Sequence, residues 1–377
     1  MRIPRSLGLL ARRTFIMLLV SGTLAFPTQN IPRELDTSKS PPTKRQFNSS
    51  LDGPELSYNY FAAIGDSYAA GLGAGHVMDR NCKRYNQSYA NLINGDPRLG
   101  DQDEVGRRFD NLACAGATIR DVLEKQISWL DDGVDAMTIT TGGNDVGFGA
   151  IVDSCIFGFG RTPCEQTMQT ARTYIRTALP VTLDRLLKIA SAKLTPGTGR
   201  IYITGYAQFF NEATTQCDSV SIALFGRKKL LDQSHRARYN ELIRYVNAEI
   251  AHAAGRAGPQ VIFVDYDWYF GACDGRLCEA DVFEPDPNRP NLLIFERKGN
   301  DVPLDPPAMM GKRNFLASLT KRIRIWWLSD SELRVFHPRS NGQRLIANVV
   351  LSHMQAQAAL FRGLDAAPLS THDVCPA

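Results

Sequence analysis

Three short islands, far apart in a chain of 377 residues, carry side chains able to do acyl-transfer chemistry. Ser67 sits in Ile64-Gly65-Asp66-Ser67-Tyr68, directly after the apolar run Tyr60-Phe61-Ala62-Ala63-Ile64. A Thr140-Thr141-Gly142-Gly143-Asn144-Asp145 turn follows, and Phe336-His337-Pro338 lies far downstream. A serine hydroxyl is a weak nucleophile until a neighbouring base takes its proton, a role open to His337. The intermediate develops a negative oxygen that needs preorganised donors, which the N–H groups of Ser67 and Gly116 and the side-chain amide of Asn144 would supply. Each island is chemically incomplete alone. Together they predict a secreted serine esterase.

These residues must be delivered by regular elements. Tyr60–Ile64, Ala136–Thr140, Arg200–Thr204 and Val261–Val264 read as strands, apolar on both faces as a buried parallel sheet requires. Helical patterns fall between them at about Tyr85–Asn94, Ile119–Leu130, Cys164–Lys193 with a break at Pro180, His235–Ala254 and Gly342–Phe361. In the fourth, Tyr239, Leu242, Val246 and Ile250 recur at helical spacing and would face the sheet. The alternation predicts an α/β fold with helices on both sheet faces. Such folds place chemistry beyond the carboxyl ends of the strands, where Ser67 and the Gly142–Asp145 turn both fall.

The amino end reads as an address label. Arg2, Arg5, Arg12 and Arg13 precede an apolar stretch from about Thr14 to Ala25, predicting a signal peptide over residues 1–25. That stretch is shorter than the roughly 20 residues a membrane span needs, so no stable membrane anchor is expected. Residues 26–45 are polar and end at Lys44-Arg45, as a propeptide or disordered linker would. Residues 1–45 hold eight of the 43 Lys and Arg and two of the 39 Asp and Glu, leaving 35 bases against 37 acids. A chain so balanced has little electrostatic reason to bind nucleic acid.

Residues 46–377 are expected to form a single hydrolase domain, with an irregular insertion at about 279–330. That insertion is Pro-rich, then basic and aromatic through Trp326-Trp327, and reads as a surface excursion before it reads as a lid. Eight cysteines and no CxxC suit an oxidising compartment and an extracellular protein. Cys155 and Cys164 are near enough to close a small loop, Cys82 and Cys114 bracket one segment, and the pairing of Cys217, Cys273, Cys278 and Cys375 stays open. Asn48 and Asn86 begin glycan acceptor sequons.

The blocks Gly65-Asp66-Ser67-Tyr68, Gly116, Gly142-Gly143-Asn144-Asp145 and Phe336-His337-Pro338 with Gly342 resemble those of the SGNH (GDSL) hydrolases in order and spacing. The resemblance implies a three-layer α/β/α sandwich with a flavodoxin-like parallel sheet. It also implies hydrolysis of carboxylic esters without cofactor or metal. By position, Ser67 would be the nucleophile, His337 the base, and Ser67, Gly116 and Asn144 the oxyanion hole, with Asp66 and Asp145 bracing turns. It further implies the disulfides Cys82–Cys114, Cys155–Cys164 and one bridge from Cys217 to Cys273 or Cys278, with Cys375 outside that scheme.

One departure matters. Many members carry an Asp three residues before the His, and here that position is Arg334, whose cationic side chain cannot stabilise an imidazolium. The expected orienter of the ring is therefore the backbone carbonyl of Arg334, in a Ser-His dyad, ahead of Asp330 or Glu332. His76, His235, His252, His353 and His372 compete for the base only if that pattern is set aside.

The expected partner is an ester: a lipid, a small acyl ester or an acylated sugar, the last making a carbohydrate esterase on the same residues. The chain is taken as a monomer. From a different class comes a secreted binding protein on a scaffold that has lost turnover. A nucleotide-binding reading of Gly71-Leu-Gly73-Ala-Gly75 fails because the spacing is not GxGxxG.

Overall fold

Five strands form one parallel sheet: β1 (Tyr60–Gly65), β4 (Arg108–Asn111), β5 (Ala136–Thr140), β6 (Arg200–Thr204) and β7 (Val261–Val264). The short β2 (Val77–Asp79) and β3 (Arg84–Tyr85) pair separately. These come from a computed structural model that describes residues 56–100, 106–158, 160–223, 229–301, 330–365 and 369–375. The expected leader, the propeptide, Asn48 and Trp326-Trp327 lie outside the described residues.

The strand order β4-β1-β5-β6-β7 is the flavodoxin-like arrangement, in which the chain first steps to one side of β1 and then to the other. The fold is thus the expected three-layer α/β/α sandwich. Its crossover reverses between β1 and β5, and in folds of this kind that is where ligands bind, beyond the carboxyl ends of the strands. Register carries this through: Ile64 pairs with Ile139 and Gly65 with Thr140, so the residues leaving the two strands emerge together.

Every residue of β1 and β5 is buried, which explains their unbroken apolar runs. Four of the five strands coincide with the apolar runs of the sequence. The fifth, β4, is Arg-Phe-Asp-Asn at the sheet edge and pairs only with β1. An edge strand tolerates polar residues, so it left no apolar signal.

The helices are α1 (Ser67–Ala70), α2 (Tyr89–Asn94), α3 (Ile119–Lys125), α4 (Gly143–Val146), α5 (Phe148–Ile151), α6 (Cys164–Thr177), α7 (Leu179–Ser191), α8 (Gln233–Ala257), α9 (Asp267–Ala272), α10 (Asp330–Leu333), α11 (Ser340–Phe361) and α12 (Thr371–Val374). Helix α2 starts later than its pattern suggested because Tyr85 belongs to β3 and Ser88 caps the first turn. The long Cys164–Lys193 pattern divides at Ala178, with Pro180 in the first turn of α7, where its missing N–H costs nothing. Thr118 and Asp121 form a reciprocal capping box that fixes the start of α3.

Four disulfides close the chain: Cys82–Cys114, Cys155–Cys164, Cys217–Cys278 and Cys273–Cys375. The last of these gives Cys375 its partner, across a separation of 102 residues.

One expectation is corrected. Within the described part of the 279–330 insertion, residues 280–291 lie at the surface as expected, but Leu292, Leu293, Ile294 and Phe295 are completely buried. Their backbone bonds explain why. Phe295 N–H donates to the His337 carbonyl and Phe336 N–H to the Phe295 carbonyl, both at 2.8 Å, while Arg339 N–H donates to the Leu293 carbonyl. The segment is a strap laid against the His337 loop.

Candidate active site

Ser67 is the first residue of α1, placed by a sharp exit from β1. Gly65 has φ +136, and any Cβ there would lie 2.1 Å from the Thr140 carbonyl oxygen, so only glycine lets β1 and β5 end this close. Gln126 clamps the same residue, accepting from Gly65 N–H at 2.7 Å and donating to its carbonyl at 2.9 Å. Asp66 caps α1 by accepting from Tyr68 N–H at 2.9 Å. The Ser67 amide, in the first turn of α1, has no acceptor among the described residues.

The His337 loop arrives from the other end of the chain. His337 Nε2 lies 2.7 Å from Ser67 Oγ, a hydrogen bond spanning 270 residues. Among the described side chains, this is the histidine that meets the serine. Tyr68 reinforces the junction: its hydroxyl donates to the Phe336 carbonyl at 2.6 Å and its ring packs 5.1 Å from the imidazole.

The ring's orientation differs from expectation. Nδ1 bonds the Val335 carbonyl at 3.2 Å, not that of Arg334. The reason is the turn itself. His337 N–H donates to the Arg334 carbonyl at 2.8 Å, and Phe336, inside that turn, takes a left-handed φ of +65. The Arg334 carbonyl accepts the bond that closes that turn, and the Val335 carbonyl lies against Nδ1. The Arg334 side chain works elsewhere, stacking 4.4 Å over Phe295 and donating to the Gly299 carbonyl at 2.6 Å. The Glu332 carbonyl closes the preceding turn by accepting from Val335 N–H, and the Asp330 side chain lies outside the described residues.

Desolvation draws the His337 pKa down to about 4, against a smaller upward push from the Val335 and Arg334 carbonyls. The half-buried imidazole is therefore neutral, with Nε2 able to accept the serine proton.

The donor side is built from two loops fastened to each other. Cys114 N–H donates to the Gly65 carbonyl at 3.0 Å, and Ala117 N–H closes a turn on the Cys114 carbonyl with Gly116 at φ +82. The Asn144 amide donates to the Ala117 carbonyl at 2.9 Å, leaving its second N–H for a ligand. Gly116 and Asn144 are exposed, and the Gly116 N–H has no acceptor among the described residues. Asp145 accepts from Ile119 N–H at 3.0 Å, so it braces the turn.

Three further residues brace the site, two of which left a trace in the sequence. Tyr68 adjoins the nucleophile, and Tyr206 stands just past the carboxyl end of β6, a position that the strand-end rule would have marked. Gln126 carried no signal. Burial lifts Asp66 to about 7 against the opposing bonds from Tyr206 and Tyr68, with Asp145 adding repulsion. Asn86, the second sequon, is exposed, and its Oδ1 accepts from His76 N–H at 2.6 Å.

Comparison with known proteins gives a consistent result. Residues 63–345 match the GDSL-like Lipase/Acylhydrolase family. A lipase from Streptomyces rimosus is 32% identical over 165 residues, which is 43% of this chain and 58% of that protein. Lipase 1 from Streptomyces coelicolor is 28% identical over 52% of this chain and 66% of that protein. The match thus spans less than two thirds of either curated relative. Among solved structures, an extracellular lipase from Streptomyces rimosus superposes with TM-score 0.51 at 26% identity. A phospholipase A1 from Streptomyces albidoflavus does so with TM-score 0.53 at 21% identity, and the pairing with each covers 76% of this chain and 94% of the other.

Proposed function

The chain belongs to the GDSL-like lipase/acylhydrolase family, and from that premise we propose that it is a secreted carboxylic ester hydrolase working through an acyl-Ser67 intermediate. The observation that carries the reading is the 2.7 Å bond between Ser67 Oγ and His337 Nε2. His337 takes the hydroxyl proton as Oγ attacks the ester carbonyl. The resulting oxyanion is received by the N–H groups of Ser67 and Gly116 and by the Asn144 amide. Collapse of that intermediate breaks the bond to the alcohol, which leaves with the proton held by His337. A water molecule then repeats the sequence on the acyl-Ser67 ester, releasing the acid and restoring the hydroxyl.

A carbonyl at Nδ1 in place of a carboxylate fixes the tautomer and gives the imidazolium weaker stabilisation than an Asp would. Four disulfides support export through an oxidising compartment. The lipases and the phospholipase it resembles support lipid-type esters as the first class to try.

The test is a panel of esters from acetyl to long acyl chains, run on the wild type and on Ser67→Ala. Loss of the nucleophile should lower kcat by on the order of 10⁶ while leaving the melting temperature in place. Unchanged turnover in Ser67→Ala refutes the reading.

A further inference from the structure

One buried hydroxyl at the site has no part in the chemistry just described. Tyr206 is fully buried two residues beyond β6, its ring edge-on to Tyr68 at 5.0 Å and to Phe148 at 5.4 Å. Asn247 holds its backbone at both ends, accepting from Tyr206 N–H and donating to its carbonyl, each at 2.8 Å. From this fixed base the phenol oxygen donates to Asp66 Oδ2 at 2.6 Å and accepts from Gly143 N–H at 2.8 Å. Asp66 is the cap of the helix that begins with Ser67, and Gly143 immediately precedes Asn144.

We propose that Tyr206 is a positioning residue for ester hydrolysis, holding the Asn144 turn in place relative to Ser67 through the bonded chain Asp66–Tyr206–Gly143. The proposal rests on the acyl-Ser67 reading above.

Packing alone does not account for the hydroxyl, because phenylalanine would fill the same space without the cost of burying a polar group. Here donor and acceptor capacity are both used. Helix α4 has Gly142 at its N-cap and so no side chain of its own to satisfy the first-turn amides. Tyr206 caps that turn from the loop that follows β6. The fit is close: a Cβ on Gly143 would lie 3.1 Å from the Tyr206 hydroxyl and 3.0 Å from the Phe148 ring. The two halves of the donor set are also joined by the Asp66 N–H bond to the Thr140 carbonyl and through the Cys114–Ile119 loop; the phenol adds a direct tie between the cap of the Ser67 helix and the turn that carries Asn144.

The experiment compares Tyr206→Phe, Asp66→Asn and the double variant with wild type and Ser67→Ala. Rates of the variants that keep Ser67 are normalised to active sites counted with a serine-reactive phosphonate, and that of Ser67→Ala to protein concentration. A misplacement of about 1 Å can cost on the order of 100-fold, so Tyr206→Phe should lose about 10- to 100-fold in kcat with KM within about threefold. Binding of a trifluoromethyl ketone, which forms the tetrahedral adduct, should weaken by the same factor. Asp66→Asn breaks the chain at its other end, keeping Oδ1 for Tyr68 N–H while presenting a donor to the phenol. The double variant should therefore be no slower than the slower single variant. A Tyr206→Phe kcat within about threefold of wild type, a loss confined to KM, or losses that multiply would each overturn the proposal. If Tyr206→Phe does not fold, Asp66→Asn carries the same expectation of a kcat-selective loss, and a wild-type kcat there overturns it. Turnover surviving in Ser67→Ala would instead sink the nucleophile assignment.

Discussion

The two sides of the site are held by different means. On the nucleophile side, Ser67, Gly116 and Asn144 all leave or adjoin strands of one sheet, and Asp66 N–H donates to the Thr140 carbonyl at 2.9 Å as a continuation of the β1–β5 ladder. On the base side, His337 follows no sheet strand. It is held by a loop lying on a loop, through the Phe295 and Phe336 backbone bonds, the Tyr68 hydroxyl and the Arg334 stack on Phe295. A sheet fixes its strand ends cooperatively, whereas a strap must be tied down bond by bond. That is why two of the four disulfides, Cys217–Cys278 and Cys273–Cys375, gather at the root of the strap.

The sharpest way to break this asymmetry is to untie the strap. Replacing Cys273 and Cys375 together by Ser opens a separation of 102 residues and should cost about 3–5 kcal/mol in urea unfolding. Activity should fall at lower urea than the loss of sheet circular dichroism, because the base side loosens first. Coincident loss of both signals would show that the strap and sheet unfold as one unit.

A second contrast is electrostatic. Desolvation raises the nucleophile-side carboxyl of Asp66 to about 7 and lowers the base-side imidazole to about 4, so each site favours the neutral form. The sign for activity follows from the base: neutral His337 accepts the proton, and competence is lost as pH falls through about 4. In an Asp66→Asn background, where the carboxyl lifted to about 7 no longer titrates, the acid limb of kcat/KM should lie near 4. A limb at 6.5 would mean that the ring is solvated.

The smallest effect is expected at Arg334. Its side chain ties the strap through Phe295 and Gly299 but makes no bond to the ring, so Arg334→Ala should cost about 1–2 kcal/mol of stability with kcat within about threefold. A drop of about 100-fold in kcat without loss of stability would give the guanidinium a direct role.

Much of the nucleophile side was legible because its signals are local. Apolar runs mark buried strands, and Gly65, Gly142 and Asn144 mark turns at their ends. The base side was legible only as a motif. Nothing around Leu292–Phe295 announces a partner some 40 residues away, and a Pro-rich stretch reads as a surface excursion until Leu293 and Phe295 are seen bonded to Arg339, Phe336 and His337. The ring's orienter was missed by one residue, because which carbonyl a turn aims at the ring depends on its dihedral angles.

The sequence by itself determined the α/β class and four of the five sheet strands, which follow from hydrophobic period, and which hydroxyl, amide and imidazole could act together, which follows from the order of the motifs it shares with the SGNH hydrolases. Only the tertiary structure decided that Val335 holds the imidazole, that Tyr206 joins Asp66 to Gly143, and that Cys273 pairs with Cys375. Such bonds join residues whose separation along the chain says nothing of their distance in space, and the geometry of the packed chain selects among many partners of equal chemistry.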